Sequence, residues 1–157
     1  MFKNEKGFTL IELLVVIGIL AILLAITLIA INPARQFGQA NDTKRKSDTN
    51  AILNAIGQYA ASNSGNLPGE VGTASTSATE SNSANFPNLC NAIMPTYISA
   101  IPVDPSVTTN TAPNGSGGIT SCTTTPWDTG YQVSKDANNR ITVYAPNAYL
   151  GPIQVTR

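Results

Sequence analysis

Few side chains in this sequence could do chemistry. The chain has 157 residues, with nine Lys plus Arg, nine Asp plus Glu and no His. The lack of His excludes Ser-His-Asp triads, His-ligated zinc and imidazole proton shuttles. The remaining polar and ionisable side chains do not form a recognisable catalytic motif, so we expect that the protein is not an enzyme. The candidates are Glu12, the cations at 44–46, Cys90, Cys122, Asp104, Asp128 and Asp136.

Glu12 has the most unusual position of these residues. It directly precedes residues 13–31, LLVVIGILAILLAITLIAI, which carry no charge. A carboxylate near the centre of a bilayer costs about 2.5 to 3.5 kcal/mol, less near the interface, so it needs a partner. The nearest cations are the two lysines before Gly7, or a new amino terminus made by a cut between Gly7 and Phe8. A Glu that reaches up to the lipid headgroups is the alternative.

The apolar stretch itself is long enough to cross a membrane. At about 1.5 Å per residue it spans about 28 Å, close to the hydrocarbon thickness of a bilayer of about 30 Å. A secretory signal peptide has a shorter apolar region and a small-residue cleavage site, which is missing here. A buried core helix is the other alternative, but the rest of the chain is too polar to enclose it. We expect a transmembrane helix that stays on the protein.

Residues 6–16, K-G-F-T-L-I-E-L-L-V-V, resemble the amino-terminal motif of type IV prepilins, which pilins and type II secretion pseudopilins share. The resemblance implies that a prepilin peptidase cuts after Gly7 and N-methylates Phe8, the first residue of the mature chain. It also implies that Glu12, then the fifth residue, pairs with the terminal amine of a neighbouring subunit. The implied partners are other pilin subunits in a homopolymer, the peptidase, and a membrane assembly platform with its ATPase.

After the apolar stretch, the sequence predicts a break followed by a second helix. Asn32-Pro33 predicts a kink or short break, because proline removes a helix hydrogen bond. An amphipathic helix is predicted from Ala34 to about Ala61. Its predicted apolar face comprises Phe37, Ala40, Ala51, Ile52, Ala55, Ile56, Tyr59 and Ala60, and its other faces comprise Asp42, Lys44, Lys46, Asp48 and Asn54.

The rest of the chain predicts a small domain, which we call the head. Residues 72–85 and 106–125 are rich in Ser, Thr, Asn and Gly and predict surface loops. A short helix with a proline interruption is predicted within 89–98. Alternating residues predict a hairpin and a third strand. These predicted strands are 131–134 and 141–144, joined by a turn at 136–139, and 153–156.

Together these elements predict an α+β fold that resembles a type IV pilin. A long N-terminal helix, half in the membrane and half amphipathic, packs on a small antiparallel β-sheet head. The expected organisation is a prepilin leader (1–7), a transmembrane and assembly helix (8–31), an amphipathic helix half (32–65) and an extracytoplasmic head (66–157).

The cationic run Lys44-Arg45-Lys46 lies on the predicted amphipathic helix. Such a run could contact DNA, as in uptake pili, or lipid headgroups. A solvated helix face is the ordinary explanation for it, and three consecutive residues cannot share one helix face. Binding of nucleic acid is therefore not expected.

Cys90 and Cys122 both lie in the predicted extracytoplasmic head, where oxidising conditions favour disulfides. A bond between them closes a loop of about 30 residues and contributes about 3 to 4 kcal/mol in the chain-entropy model. We expect a disulfide. Two independent thiols are the alternative.

No cofactor and no metal are expected. Asp104, Asp128 and Asp136 carry carboxylate oxygens of the kind calcium accepts, and Asp104 and Asp128 are the calcium candidates. The spacing of an EF-hand is absent, and turn or cap roles explain each Asp equally well.

The sequence thus predicts a structural subunit of a type IV pilus-like filament, processed by prepilin peptidase and assembled through its N-terminal helix. The alternatives are a pseudopilin of a type II secretion system, a competence pilin for DNA uptake, and a signal-anchored binding protein that does not polymerise. The expected location is the bacterial inner or cytoplasmic membrane, in contact with lipid, with one pass and an extracytoplasmic head. After assembly the expected location is an extracellular or periplasmic filament.

Overall fold

The structure is a computed structural model that describes residues 7–69, 71, 79–82, 88–107, 118–123 and 127–157. The chain divides into two compact units, residues 1–37 and 38–157. Helices and an antiparallel sheet together give the α+β architecture expected from the sequence. The elements in chain order are α1 (Leu10–Ile31), α2 (Pro33–Ser62), β1 (Thr79–Asn82), α3 (Leu89–Ile93), β2 (Asp128–Lys135), β3 (Ile141–Ala145) and β4 (Ile153–Thr156).

Helix α1 makes up most of the first unit, and none of its residues is buried. It is long and apolar enough to cross a membrane, by length and composition. The helix ends at Ile31, its C-cap Asn32 has a left-handed φ of 46°, and α2 starts at Pro33. The predicted break therefore occurs, because proline suits the first position of a helix but not its interior.

Helix α2 matches the predicted amphipathic helix to within one residue at each end. Its buried face agrees with the predicted one at Ile52, Ala55 and Ile56 but not in the first half of the helix. The expected apolar positions Phe37 and Ala40 are exposed, whereas Asp42 and Arg45 are buried. The prediction was wrong here because it sorted side chains by polarity. Asp42 and Arg45 are buried because they form an ion pair with each other.

The four strands form one antiparallel sheet in the order β1-β2-β3-β4. The predicted hairpin is confirmed, with Val133 of β2 opposite Val143 of β3. The candidate third strand is confirmed as β4, whose Val155 also lies opposite Val143.

Strand β1 corrects the prediction that all of residues 72–85 form a surface loop. It pairs with β2 along one edge of the sheet, with a register shift between Glu80 and Asn82. An edge strand needs only backbone pairing on one side, so the polar sequence TESN can supply it. Residues 72–78 and 83–85 lie outside the described residues, as do 108–117 and 124–125 of the second predicted loop.

The core of the second unit lies between α2 and the sheet. Val133, Ile141 and Val143 are buried in the same apolar cluster as Ile52 and Ile56. The cluster also includes Leu89, Ile93, Trp127 and Tyr131. Helix α3 covers only the first part of the predicted short helix, because Pro95 cannot continue it.

Candidate assembly site

The N-terminal end of α1 brings together the residues of the proposed processing and assembly site. Thr9 is the N-cap of the helix and forms a capping box with Glu12. Its amide and hydroxyl donate to Glu12 Oε2 at 2.8 and 2.7 Å, and the Glu12 amide donates to Thr9 Oγ1 at 3.3 Å. The carboxylate is thus held at the positive end of the helix dipole.

This geometry identifies Thr9 as a residue that the sequence analysis missed. The spacing Thr-x-x-Glu is the sequence signature of a capping box and could have found it. Phe8 is 85% exposed, and nothing lies within 4 Å of a side-chain carbon built on Gly7. The motif residues are therefore open to an enzyme. Cleavage after Gly7, methylation of Phe8 and pairing of Glu12 stay predictions.

The second unit contains a buried ion network around Arg45. The Arg45 guanidinium donates from Nε and Nη2 to the two carboxylate oxygens of Asp104, at 2.8 and 2.9 Å, and from Nη1 to Asp42 at 3.0 Å. Arg45 is 3% exposed, Asp42 4% and Asp104 1%. The expectation that residues 44–46 form a solvated helix face is therefore wrong for Arg45. A guanidinium between two carboxylates can be buried because its charge is balanced.

The pKa values in this network follow from burial and pairing. Burial by itself raises the pKa of Asp42, but the amides of Tyr149 and Leu150 and the Arg45 guanidinium outweigh it and hold that pKa below its ordinary value. At Asp104, burial is again outweighed, by Arg45 and Ser106, so this pKa is also lowered. The hydrogen bonds to Asp104 raise the pKa of Arg45, and burial, the next largest influence, lowers it. The pKa of Arg45 is raised overall. All three groups are charged at neutral pH.

Asp42 also holds the loop between β3 and β4, residues 146–152. Its carboxylate accepts the amides of Tyr149 at 2.8 Å and Leu150 at 2.9 Å. The Tyr149 ring lies against Gly38, where an added Cβ would be 2.5 Å from Tyr149 Cγ. Only glycine fits this position without a shift of the ring.

Asp104 joins two segments that are far apart in sequence. Its amide donates to the Thr129 carbonyl at 2.8 Å, and its carboxylate accepts the amide and hydroxyl of Ser106 at 2.7 and 2.6 Å. Gly130 has a φ of +71° and approaches Asp104 so closely that a Cβ there would be 2.9 Å from that of Asp104. The turn at 104–107, closed by the hydrogen bond from the Val107 amide to the Asp104 carbonyl, thus packs against the Trp-Asp-Thr-Gly-Tyr segment that follows some twenty residues later.

The other two Asp candidates have turn roles. Asp128 accepts the Gly130 amide at 2.9 Å. Asp136 accepts the amide of Asn138 and both the amide and the side chain of Arg140, and the amide of Arg140 is the main reason that the pKa of Asp136 is lowered. Within the described ranges, no three His, Cys, Asp or Glu side chains cluster as a metal site would need. The calcium candidates stay a prediction.

The two neighbours of Arg45 differ from it in their surroundings. Lys44 donates to the Val103 carbonyl at 3.0 Å and lies 3.6 Å from Asp48, which also accepts the Tyr131 hydroxyl at 2.8 Å. Burial and Asp48 together raise the pKa of Tyr131. Lys46 is exposed. The three cations therefore do not form one accessible patch.

The two cysteines are joined in the structure. Cys90 and Cys122 form a disulfide with a Cα–Cα distance of 5.5 Å and a sequence separation of 32. The bond links the buried start of α3 to a segment beside Ile119, which pairs with Ile101.

Comparison with known proteins gave a match to one family, confined to the N-terminal region of the chain. Residues 2–28 match the family described as the prokaryotic N-terminal methylation motif. No curated protein and no solved structure matches the chain. The match covers the region before α1 and most of α1, and it includes Gly7, Phe8 and Glu12.

Proposed function

We propose that this chain, which carries the N-terminal signature of type IV pilins and pseudopilins, is a structural subunit of a type IV pilus-like filament. In this proposal, prepilin peptidase removes residues 1–7 and methylates Phe8. Helix α1 holds the subunit in a bacterial membrane, with the head on the extracytoplasmic side. An assembly platform driven by a cytoplasmic ATPase then transfers the subunit into the filament.

One observation carries this proposal: α1 is almost entirely apolar, its residues are exposed, and Glu12 is its only charged residue. So much apolar surface must be covered, since each buried methylene group gains about 0.8 kcal/mol. Lipid can cover it before assembly, and α1 helices of other copies can cover it in a filament. In this proposal the subunit has a structural role and performs no chemistry itself.

The carboxylate of Glu12 then sets the register between copies. In the single chain, Thr9 donates hydrogen bonds to one of the two oxygens of the Glu12 carboxylate. A neighbour's terminal amine would add an opposite charge, which is worth far more in an apolar filament core than in water. A shifted register would leave the carboxylate without a cation, so assembly in one register is favoured.

Processing and assembly can be tested separately. We would determine the amino terminus and mass of the protein from membranes of cells that express its own prepilin peptidase, and image the filaments by electron microscopy. The native chain should begin at N-methylated Phe8 and form filaments. Glu12→Gln keeps the shape of the side chain and removes its negative charge. This variant should be processed normally but form few or no filaments.

A matched control at another position of α1 is Thr27→Val, because the Thr27 hydroxyl bonds only to the Leu24 carbonyl of its own helix. This variant should assemble normally. An intact Met1 chain in cells that process other prepilins would contradict the proposal, as would filaments of Glu12→Gln in normal number.

Long surface filaments would assign the subunit to a pilus, and a secretion defect without them to a pseudopilus. DNA uptake is disfavoured as the role because Arg45 is fully engaged with Asp42 and Asp104. Any contact with DNA through this run would have to rest on Lys44 and Lys46 alone.

A further inference from the structure

The sheet of the second unit has an open edge at β4. In the part of the chain that the structure describes, β4 pairs with β3 and no strand pairs with its other side. Ile141 and Arg157 exchange amide and carbonyl hydrogen bonds at 2.8 and 2.9 Å, and such hydrogen-bonded pairs alternate along an antiparallel ladder. The amides and carbonyls of Gln154 and Thr156 therefore point away from β3. No described residue is bonded to them.

The backbone of this edge is regular, as pairing with a further strand requires. β4 keeps an unbroken register with β3 over residues 153–156, whereas β1, at the other edge of the sheet, has a register shift. Proteins protect edge strands from pairing with charged side chains, bulges and covering segments. The strand IQVT has no charged residue and no bulge, so its edge can receive an extended chain.

A groove of about 380 Å³ runs between β4 and α2. It is lined by Lys46, Thr49 and Asn50 from the helix and by residues 152–155 from the strand. Part of the β4 side is apolar, because Ile153 and Val155 pack partly buried against the core cluster. The helix side carries a cation: Lys46 is exposed and, among the described residues, has no ion-pair partner.

Contacts on both sides of the groove along the chain fix its shape. On its N-terminal side, the Asp42 carboxylate accepts the amides of Tyr149 and Leu150. On its C-terminal side, the Arg157 guanidinium donates from Nη1 to Asn54 Oδ1 at 3.0 Å. A segment that binds here meets a site that is already formed, so little conformational entropy of the head is lost.

These features specify the chemistry of the ligand. A strand added to β4 forms backbone hydrogen bonds with Gln154 and Thr156, and alternate side chains of such a strand face the same way. Those that face α2 meet Ile153, Val155 and the Lys46 ammonium. We propose that the edge of β4 binds an extended segment of a partner protein in which every second side chain is apolar or acidic.

A partner segment fits this edge better than a second copy of the chain does. The regular edge of a second copy is again β4, which has no acidic side chain to pair with Lys46. A partner segment with an acidic side chain at this position adds an ion pair to the backbone hydrogen bonds. Binding at this edge involves the second unit alone and does not depend on processing or on filament assembly.

The test uses the full chain in mild detergent and a dye-labelled peptide, Glu-Thr-Val-Thr-Val-Thr-Glu, which reads the same in both directions. Fluorescence anisotropy measures its binding. The peptide should bind saturably, and the same peptide with Gln in place of Glu should bind about two- to fivefold more weakly, because it lacks the exposed ion pair. With Lys46→Met the two peptides should bind equally.

Substitutions at Gln154 test the backbone pairing. Gln154→Pro removes an amide that points away from β3, so it leaves the ladder with β3 intact. It should weaken binding about tenfold or more, because one hydrogen bond is lost and the proline ring obstructs the incoming strand. The matched control Gln154→Thr keeps the amide and should bind the peptide like the native chain. Trp127 fluorescence checks that both variants are folded.

Amide hydrogen exchange of the native chain gives a readout that needs no variant. Saturating peptide should slow exchange at Gln154 and Thr156 and leave exchange at Asn138, in the turn between β2 and β3, unchanged. Unchanged exchange at Gln154 and Thr156, or equal affinity of Gln154→Pro and Gln154→Thr, would overturn the proposal. Self-association that Gln154→Pro removes, without binding of either peptide, would overturn it as well and assign the edge to a second copy.

Discussion

At the scale of single residues, Arg45 is the side chain whose role differs most from its appearance in the sequence. It stands between two cations in a run that predicts a solvated surface. In the structure it lies between Asp42 and Asp104 and is shielded from water. Through these two carboxylates it links α2 to the turn at 104–107 and to the 146–152 loop.

Arg45→Met should destabilise the head by about 3 to 5 kcal/mol, because it leaves two buried carboxylates without a cation. The matched control is Lys46→Met at the exposed neighbouring position, which should change stability by less than about 0.5 kcal/mol. Urea unfolding of the full chain in mild detergent measures both, with the fluorescence of Trp127, the chain's single Trp, as the probe. Equal midpoints for the two variants would show that the network does not stabilise the fold.

At the scale of elements, α2 contains two glycines in different surroundings. At Gly38 a Cβ would lie 2.5 Å from the Tyr149 ring, whereas at Gly57 the nearest atom would be Arg157 Nη1 at 3.9 Å. Glycine in a helix interior costs about 0.5 to 1 kcal/mol relative to alanine. Only at Gly38 does a packing contact require the residue.

Gly38→Ala should therefore destabilise the head, by about 1 to 3 kcal/mol, as overpacking does. Gly57→Ala should stabilise it by about 0.5 to 1 kcal/mol, because it removes unfolded-chain entropy without a clash. Thermal unfolding followed by circular dichroism compares the two variants. A stabilising Gly38→Ala would mean that the Tyr149 ring does not pack on α2 as described.

At the scale of the whole molecule, the two units are stabilised in different ways. The first has no buried residue in α1, and in the proposed function lipid or other copies cover its apolar surface. The second has an apolar core, a disulfide and a buried ion network. Acid should therefore act mainly on the second unit.

The stability of the head should fall in acid, because folding lowers the pKa of Asp42 and Asp104. Above the ordinary carboxyl pKa of about 3.9 these groups are charged in both states, and their full contribution is present. Below that pH the unfolded chain binds protons first, so stability is lost as pH falls through the lowered pKa of the folded state.

Urea midpoints of the full chain, measured by Trp127 fluorescence between about pH 6 and pH 2, should show this fall. Asp42→Asn should lower the midpoint at neutral pH and make the fall shallower. If the urea midpoint of Asp42→Asn fell with pH in parallel with that of the native chain, this would contradict the contribution of charged Asp42 to stability.

Features that depend on residues close together in the chain could be predicted from the sequence. The apolar stretch and the cleavage motif predicted α1 and its signature, proline predicted the break after Asn32, and periodicity predicted α2 and three strands. These patterns are local, since a helix or strand is specified by residues a few positions apart. A capping box such as Thr9 and Glu12 is also readable in this way.

The burial of polar residues and the contacts they make depend instead on how the chain packs. Arg45 reaches Asp104 across 59 positions, and Asp42 reaches Tyr149 across 107. Polarity places such residues on the surface, and only the packed fold supplies the partners that make their burial favourable. For the same reason, only the structure gave β1 its place at the edge of the sheet and gave Gly38 its contact with an aromatic ring.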